Sequence, residues 1–164
     1  MNYLEIAQKL LLAHEGSKQT EYRCTAGHRT IGVGWNIDAH PLPKGFGKMI
    51  NGKLTITQAE ADDMLKVSMR EHYEDLITKL PWVEKLDEWR KAAMLDLAFN
   101  MGIGGLLTFK NTLGFISTGR YAEAGAGLLK SKWAKDVQKQ RVDTIVSIIT
   151  RGMIDDKQKQ VYGL

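Results

Sequence analysis

With one cysteine in its 164 residues, Cys24, the chain can form no internal disulfide and no metal site built on several thiolates. Its four histidines, His14, His28, His40 and His72, are scattered, and no spaced His/Cys/Asp cluster suggests zinc. No apolar run approaches the ~20 residues needed to cross a bilayer. The first apolar stretch contains Glu5 and Gln8, which argues against a secretory leader. There is no dense Lys/Arg run and no basic–aromatic platform, so nucleic acid is not the expected partner. Internal repeats and low-complexity segments are also missing. Of the three prolines, Pro41 and Pro43 fall in one loop-like stretch and Pro81 closes a helical pattern.

What is present is an ordinary globular composition, 43% hydrophobic and 26% charged, long enough for one compact domain or two small lobes. The net charge of +4 is lopsided. Residues 1–80 carry ten basic and ten acidic side chains, residues 81–164 thirteen and nine. The excess in the second half suits an anionic polymer such as a bacterial envelope.

The hydrophobic period changes along the chain. Asn2 and Glu5 form a capping box ahead of Tyr3, Ile6, Ala7, Leu10 and His14, one helical stripe that stops at Gly16. Residues 17–38 switch to a period of two. They predict a strand with Thr20, Tyr22 and Cys24 on one face, a turn at Ala26–Gly27, a second strand over 30–35, and a further short one. On that second strand Thr30 would share its face with Gly32 and Gly34, a bare surface for close approach by another group. Residues 39–56, rich in Pro and Gly, read as loop. Thr57 and Glu60 form a second capping box, followed by a stripe from Ala61 to Leu80. That helix would be about 35 Å long, a strut between lobes. Ala92 to Phe99 are apolar nearly all round, as in a helix at the centre of a bundle. Glycines 102, 104 and 105 would end that helix, and Thr108 would cap a short helix to Ile116. Helices over 122–130 and 136–150 complete the pattern. The expected architecture is α+β: an N-terminal lobe (1–57) with a small sheet, a connecting helix (58–80), an all-helical C-terminal lobe (81–164), and a cleft between the lobes.

The chemistry-bearing residues concentrate in 15–30. Glu15 ends the first helix, Cys24 follows after eight residues, and Thr30 after five more. This spacing, with His14-Glu15-Gly16 and Thr30-Ile31-Gly32-Val33-Gly34, resembles the phage-type lysozymes, the family of the T-even phage enzyme. The resemblance continues through Phe99-Asn100-Met101-Gly102, Phe109-Lys110-Asn111-Thr112-Leu113, Ser131-Lys132-Trp133 and Arg141 to Gly152, nearly the whole chain. The middle catalytic position of the family is usually Asp and in some members Cys.

Glycoside hydrolysis needs an acid to protonate the leaving oxygen and a second group that activates water or attacks the sugar. The resemblance implies Glu15 as acid, Cys24 in the second role, and Thr30 holding a water. Either base or nucleophile is open to a thiolate, although an ordinary thiol is mostly protonated at neutral pH. The resemblance further implies that Arg141 pairs with Glu15, and that Asn36, Phe99, Asn100 and Thr112 contact sugar. A cleft position normally polar in the family is Gly127 here, which removes that contact. Trp133 reads as core. The implied activity is that of a muramidase cleaving the β-1,4 bond after N-acetylmuramic acid in peptidoglycan, a monomer needing no cofactor and no stable membrane association. Synthesis in a host cytoplasm without a signal peptide, action in the periplasm and a separate holin for access to the wall would follow. The rival readings are a peptidoglycan-binding module that has lost catalysis through the Cys24 change, and a thiol hydrolase pairing Cys24 with His28 or His14.

Overall fold

The computed structural model describes all 164 residues. It is α+β, with one five-stranded antiparallel sheet near the N-terminus and helices over the rest. The chain divides into two compact units, Leu11–Glu71 and Met1–Leu10 with His72–Leu164. Helices α1 (Tyr3–Glu15) and α2 (Gln58–Lys79) each run from one unit into the other, so the first ten residues cluster with the helical unit and not with the sheet. The unit boundaries thus fall inside helices, where no composition shift marks them.

Both capping boxes form. Asn2 N–H donates to Glu5 and Glu5 N–H to Asn2, each at 3.0 Å. Thr57 N–H donates to Glu60 at 2.9 Å, and Glu60 N–H to the Thr57 hydroxyl at 3.0 Å. The second Glu60 oxygen also accepts from Gly47 N–H, tying the preceding loop to the start of α2.

In the first unit the sheet order is β3-β2-β1-β5-β4, built from β1 (Lys18–Arg23), β2 (Arg29–Gly32), β3 (Trp35–Asn36), β4 (Lys48–Ile50) and β5 (Lys53–Thr55). Its core is Ile31, Ile56, Ala61 and Met64, with Trp35, Ile37, Leu42, Phe46 and Leu54 packed against them. Two sequence expectations fail here. The strand expected over 30–35 ends at Gly32, and the chain turns back so that β3 pairs with β2, Thr30 opposite Asn36 and Ile31 opposite Trp35. Gly32 and Gly34 have φ of 63° and 68°, which breaks an extended strand but suits a tight reversal. A Cβ on Gly32 would lie 3.4 Å from Ile56 and 3.8 Å from Ala61, so this glycine faces core and not a ligand. The second failure is the loop assigned to 39–56, which contains the β4–β5 hairpin. Asn51 and Gly52 sit at its tip with φ of 49° and 76°. Two successive positive φ values are the requirement of a two-residue turn, and Asn-Gly is the pair that meets it most easily.

In the helical unit, α3 (Glu88–Leu107) buries Ala92 to Ala98 without a break, and its helical path is interrupted at Gly102. Around it lie α4 (Lys110–Ser117), α5 (Tyr121–Lys130), α6 (Lys132–Asp136), α7 (Lys139–Arg151) and α8 (Asp156–Tyr162). Helix α7 buries Val142, Ile145, Ile148 and Ile149, spaced three and four apart, and packs on α3 and α5. Thr108 does not cap the following helix. Its hydroxyl donates backward to the Gly105 carbonyl at 2.6 Å, closing α3, while α4 has Phe109 at its N-cap position and no side-chain cap. Helix α6 falls largely between the helices expected over 122–130 and 136–150, and α8 is announced by a third capping box, Asp155 with Gln158. No single helix is long and apolar enough to cross a membrane.

Candidate active site

Glu15, Cys24, Thr30 and Asn36 lie in Leu11–Glu71; Phe99, Asn100, Thr112 and Arg141 lie in the helical unit. Glu15 is the last residue of α1, where Gly16 N–H closes the helix on the Leu12 carbonyl at 3.1 Å. Cys24 is one residue beyond β1, inside the turn that leads to β2. Its N–H donates to the His28 carbonyl at 3.0 Å, and Gly27 N–H donates to the Cys24 carbonyl at 2.8 Å. This winding aims peptide N–H groups at the sulfur. The amide of His28 holds the thiol below its ordinary range, against partial desolvation, and the amide of Ala26 and the hydroxyl of Thr30 add to the effect.

Thr30 is buried on β2, directly opposite Tyr22 on β1. Its Oγ1 donates to the His28 carbonyl at 3.0 Å. A hydroxyl carries one proton, so donation to His28 and donation to a Cys24 thiolate are alternative states of the same group. The Tyr22 phenol is raised by burial first, then by the charges of Cys24 and Glu15. One half-buried tyrosine therefore feels both groups. Glu15 thus sits at a helix end, Cys24 in a turn and Thr30 on the strand that follows it.

The other expected site residues have defined partners. The Asn36 amide oxygen accepts from Asp38 N–H at 3.0 Å and Ala39 N–H at 3.1 Å, fixing the turn after β3. Phe99 is half-buried, its ring 4.8 Å from that of His72. Asn100 accepts from Trp133 Nε1 at 2.8 Å, and both line an open pocket of about 480 Å³ with Phe109 and Val137. Trp133 itself is only 6% exposed. Thr112 lines a second pocket with Asn111 and Gly127, and a Cβ on Gly127 would come 3.0 Å from the Thr112 hydroxyl. Arg141 is buried, and its Nε donates to Asp96 Oδ1 at 2.9 Å while Nη2 reaches the Asp96 carbonyl at 3.4 Å. Asp96 was not singled out from sequence. Its signal is a lone carboxylate inside the apolar run Ala92 to Phe99, a position that a charge occupies only with a partner. Tyr22 was likewise treated only as a strand residue.

The family model described as phage lysozyme matches residues 12–151. Probable T4-type lysozymes 1 and 2 of Dictyostelium discoideum are similar along almost their whole length. The first is 26% identical over 161 residues, covering 89% of this chain and 94% of the relative. For the second the values are 25% over 162 residues, 90% and 95%. The pre-baseplate central spike protein Gp5 of Enterobacteria phage T4 is 26% identical over 161 residues, which span 90% of this chain but 28% of the spike protein. On the match to its family model and on its fold, the chain belongs to the phage lysozyme family and is a lysozyme-like glycoside hydrolase.

Proposed function

We propose that the protein is a muramidase that hydrolyses the β-1,4 bond between N-acetylmuramic acid and N-acetylglucosamine in bacterial peptidoglycan, with Glu15, Cys24 and Thr30 as its catalytic residues. Glu15 gives its proton to the glycosidic oxygen as the bond to the anomeric carbon breaks. The Cys24 thiolate takes a proton from a water held by Thr30, and that water adds to the anomeric carbon. The observation that carries this reading is the electrostatic setting of Cys24. Turn amides and the Thr30 hydroxyl favour the thiolate, so the thiol is a stronger candidate for a base than a packed cysteine would be. Arg141, Asn36, Phe99, Asn100 and Thr112 support the fold of the site or contact sugar. The steps need no cofactor. In the same reading the protein acts as a monomer on periplasmic peptidoglycan after synthesis in a host cytoplasm, reaching the wall with the help of a separate holin and lysing the host.

The test is turnover of purified peptidoglycan by folded Glu15→Gln protein. The expected loss is ~10²-fold or more, because Gln has no proton to give. Retention of more than about a tenth of the activity would remove Glu15 from the acid role. Cys24→Ala is expected to be nearly inactive and Cys24→Asp to be active; full activity of Cys24→Ala would reduce the thiol to packing.

A further inference from the structure

Next to the candidate catalytic residues, the outer rungs of the sheet carry an arrangement that strand pairing alone disfavours. Arg23 on β1 is in register with Arg29 on β2, and like charges directly opposite one another are destabilising. Lys53 on β5 joins them, and the three cations with Glu21 and Tyr22 enclose a pocket of about 220 Å³. One carboxylate serves this group. Glu21 Oε2 accepts from Arg29 Nη2 at 2.7 Å and from Leu54 N–H at 3.2 Å, and Arg29 holds its carboxyl below the ordinary range. Arg23 instead donates from Nη1 to the uncharged carbonyl of Gly27 at 2.8 Å. Asp38 bonds the Arg29 main chain at 3.0 Å and does not line the pocket. The lining therefore carries three cations against one carboxylate, with the Asp38 charge acting on Arg29 from outside the pocket.

Tyr22 forms one wall of the pocket and is the residue whose phenol feels Glu15 and Cys24. Arg29 and Thr30 follow one another on β2 and so present their side chains to opposite faces of the sheet. We infer that Arg23, Arg29 and Lys53 form a binding site for a carboxylate of the short peptides attached to the glycan. This rests on the peptidoglycan reading above and adds to it: the enzyme would recognise peptide-bearing strands and not sugar alone. Those peptides carry free carboxylates close to the cleaved bond, and a guanidinium fork with a second cation matches a carboxylate in shape and charge.

The experiment is a chemical-shift titration of ¹⁵N-labelled protein with the tripeptide L-Ala–γ-D-Glu–diaminopimelate, which measures binding without turnover. Shifts are expected at amides of β1, β2 and β5 around Arg23, Arg29 and Lys53. Arg23→Gln and Lys53→Gln are each expected to weaken binding by about fivefold or more, and added salt should weaken it further. The spectra themselves report whether each variant is folded, and both side chains are exposed enough for replacement without loss of packing. The peptide with its carboxylates amidated should not bind. The inference is overturned if amides elsewhere shift instead, if the amidated peptide binds equally, or if inorganic phosphate binds there and the tripeptide does not. Failure of the muramidase reading would show separately, in the turnover of Glu15→Gln.

Discussion

Arg141 and Asp96 form the most consequential polar contact in the helical unit, and removing one of them should be costly. Asp96 is fully buried on helix α3 and Arg141 is 4% exposed on helix α7. At their separation of 2.9 Å the attraction is about 6 kcal/mol with an effective dielectric near 20, and the desolvation of both charges takes back much of it. Arg141→Met keeps length and apolar volume but removes the guanidinium to which the buried Asp96 carboxylate is bonded. The loss should then approach the ~3–5 kcal/mol seen when one partner of a buried pair is removed. At roughly 2–4 °C per kcal/mol for a chain of this size, the midpoint of thermal unfolding should fall by roughly 6–20 °C. Asp96→Leu combined with Arg141→Met strands neither charge, so the double variant should recover most of the loss. Arg141→Lys should not, since an ammonium cannot hold the carboxylate and the Asp96 carbonyl in one planar fork. The measurement is urea unfolding of the four proteins followed by circular dichroism at fixed ionic strength. A cost below about 1 kcal/mol for Arg141→Met, or a double variant no more stable than the single, would refute the reasoning.

Trp133→Ala should destabilise by roughly 3–5 kcal/mol, because it empties a buried site and strands the Asn100 amide, while Trp133→Phe should lose mainly the 2.8 Å hydrogen bond, about 1 kcal/mol, both read from chemical unfolding. In the pH profile of kcat/KM, a Cys24 base should place the rising limb below that of an ordinary thiol and above that of Cys24→Asp. Thr30→Val, which removes one donor that favours the thiolate, should move the limb to higher pH. Glu60 is held below the ordinary carboxylate range by Thr57 N–H and then Gly47 N–H. Its stabilising contribution is therefore complete above the unfolded value near 4.5 and disappears as pH falls through the depressed folded value, so Glu60→Gln should flatten the acid side of the stability curve measured between roughly pH 2 and 6.

The parts of the fold legible in the sequence were those written in short, local codes. Asn2 with Glu5 and Thr57 with Glu60 state a helix start within four residues, and both starts are where the code puts them. The four-residue alternation around Thr30 states a strand but not where it ends, because Thr30-Ile31-Gly32-Val33-Gly34-Trp35 suits one extended strand and a tight reversal almost equally. The choice is made by Ile31 and Trp35 joining one core with Ile56 and Met64, contacts some twenty to thirty residues away. The β4–β5 hairpin was hidden for another reason. Its strands are three residues each, and Pro41, Pro43, Gly45 and Gly47 just before them dominate the composition of the stretch, although Asn51-Gly52 by itself is a strong turn signal. Thr108 failed as a cap since a hydroxyl can serve the helix behind it as easily as the one ahead.

The candidate site divides along the same line. Side-chain identities and spacing suffice to nominate Glu15, Cys24 and Thr30, but a thiol in place of the usual carboxylate leaves open whether the second group has any charge to work with. The answer depends on groups that every residue possesses. The amides of Ala26 and His28 carry no mark in the sequence, and they act on Cys24 because the chain leaves β1 one residue before it and returns as β2 at Arg29. Had Cys24 remained on the strand, its neighbours' N–H groups would have been taken by the ladder and the sulfur would have faced only side chains. A turn instead leaves amides without ladder partners, and an anion is what satisfies them. On this argument the cysteine is workable at that position because of the turn: shortening the 24–28 loop to a two-residue hairpin connection should raise the thiol toward its ordinary range and suppress turnover at neutral pH, and Cys24→Asp in the same shortened loop should lose less, since a carboxylate is ionised there without help. Equal losses in the two backgrounds, in proteins shown to be folded, would mean that the loop matters for shape alone.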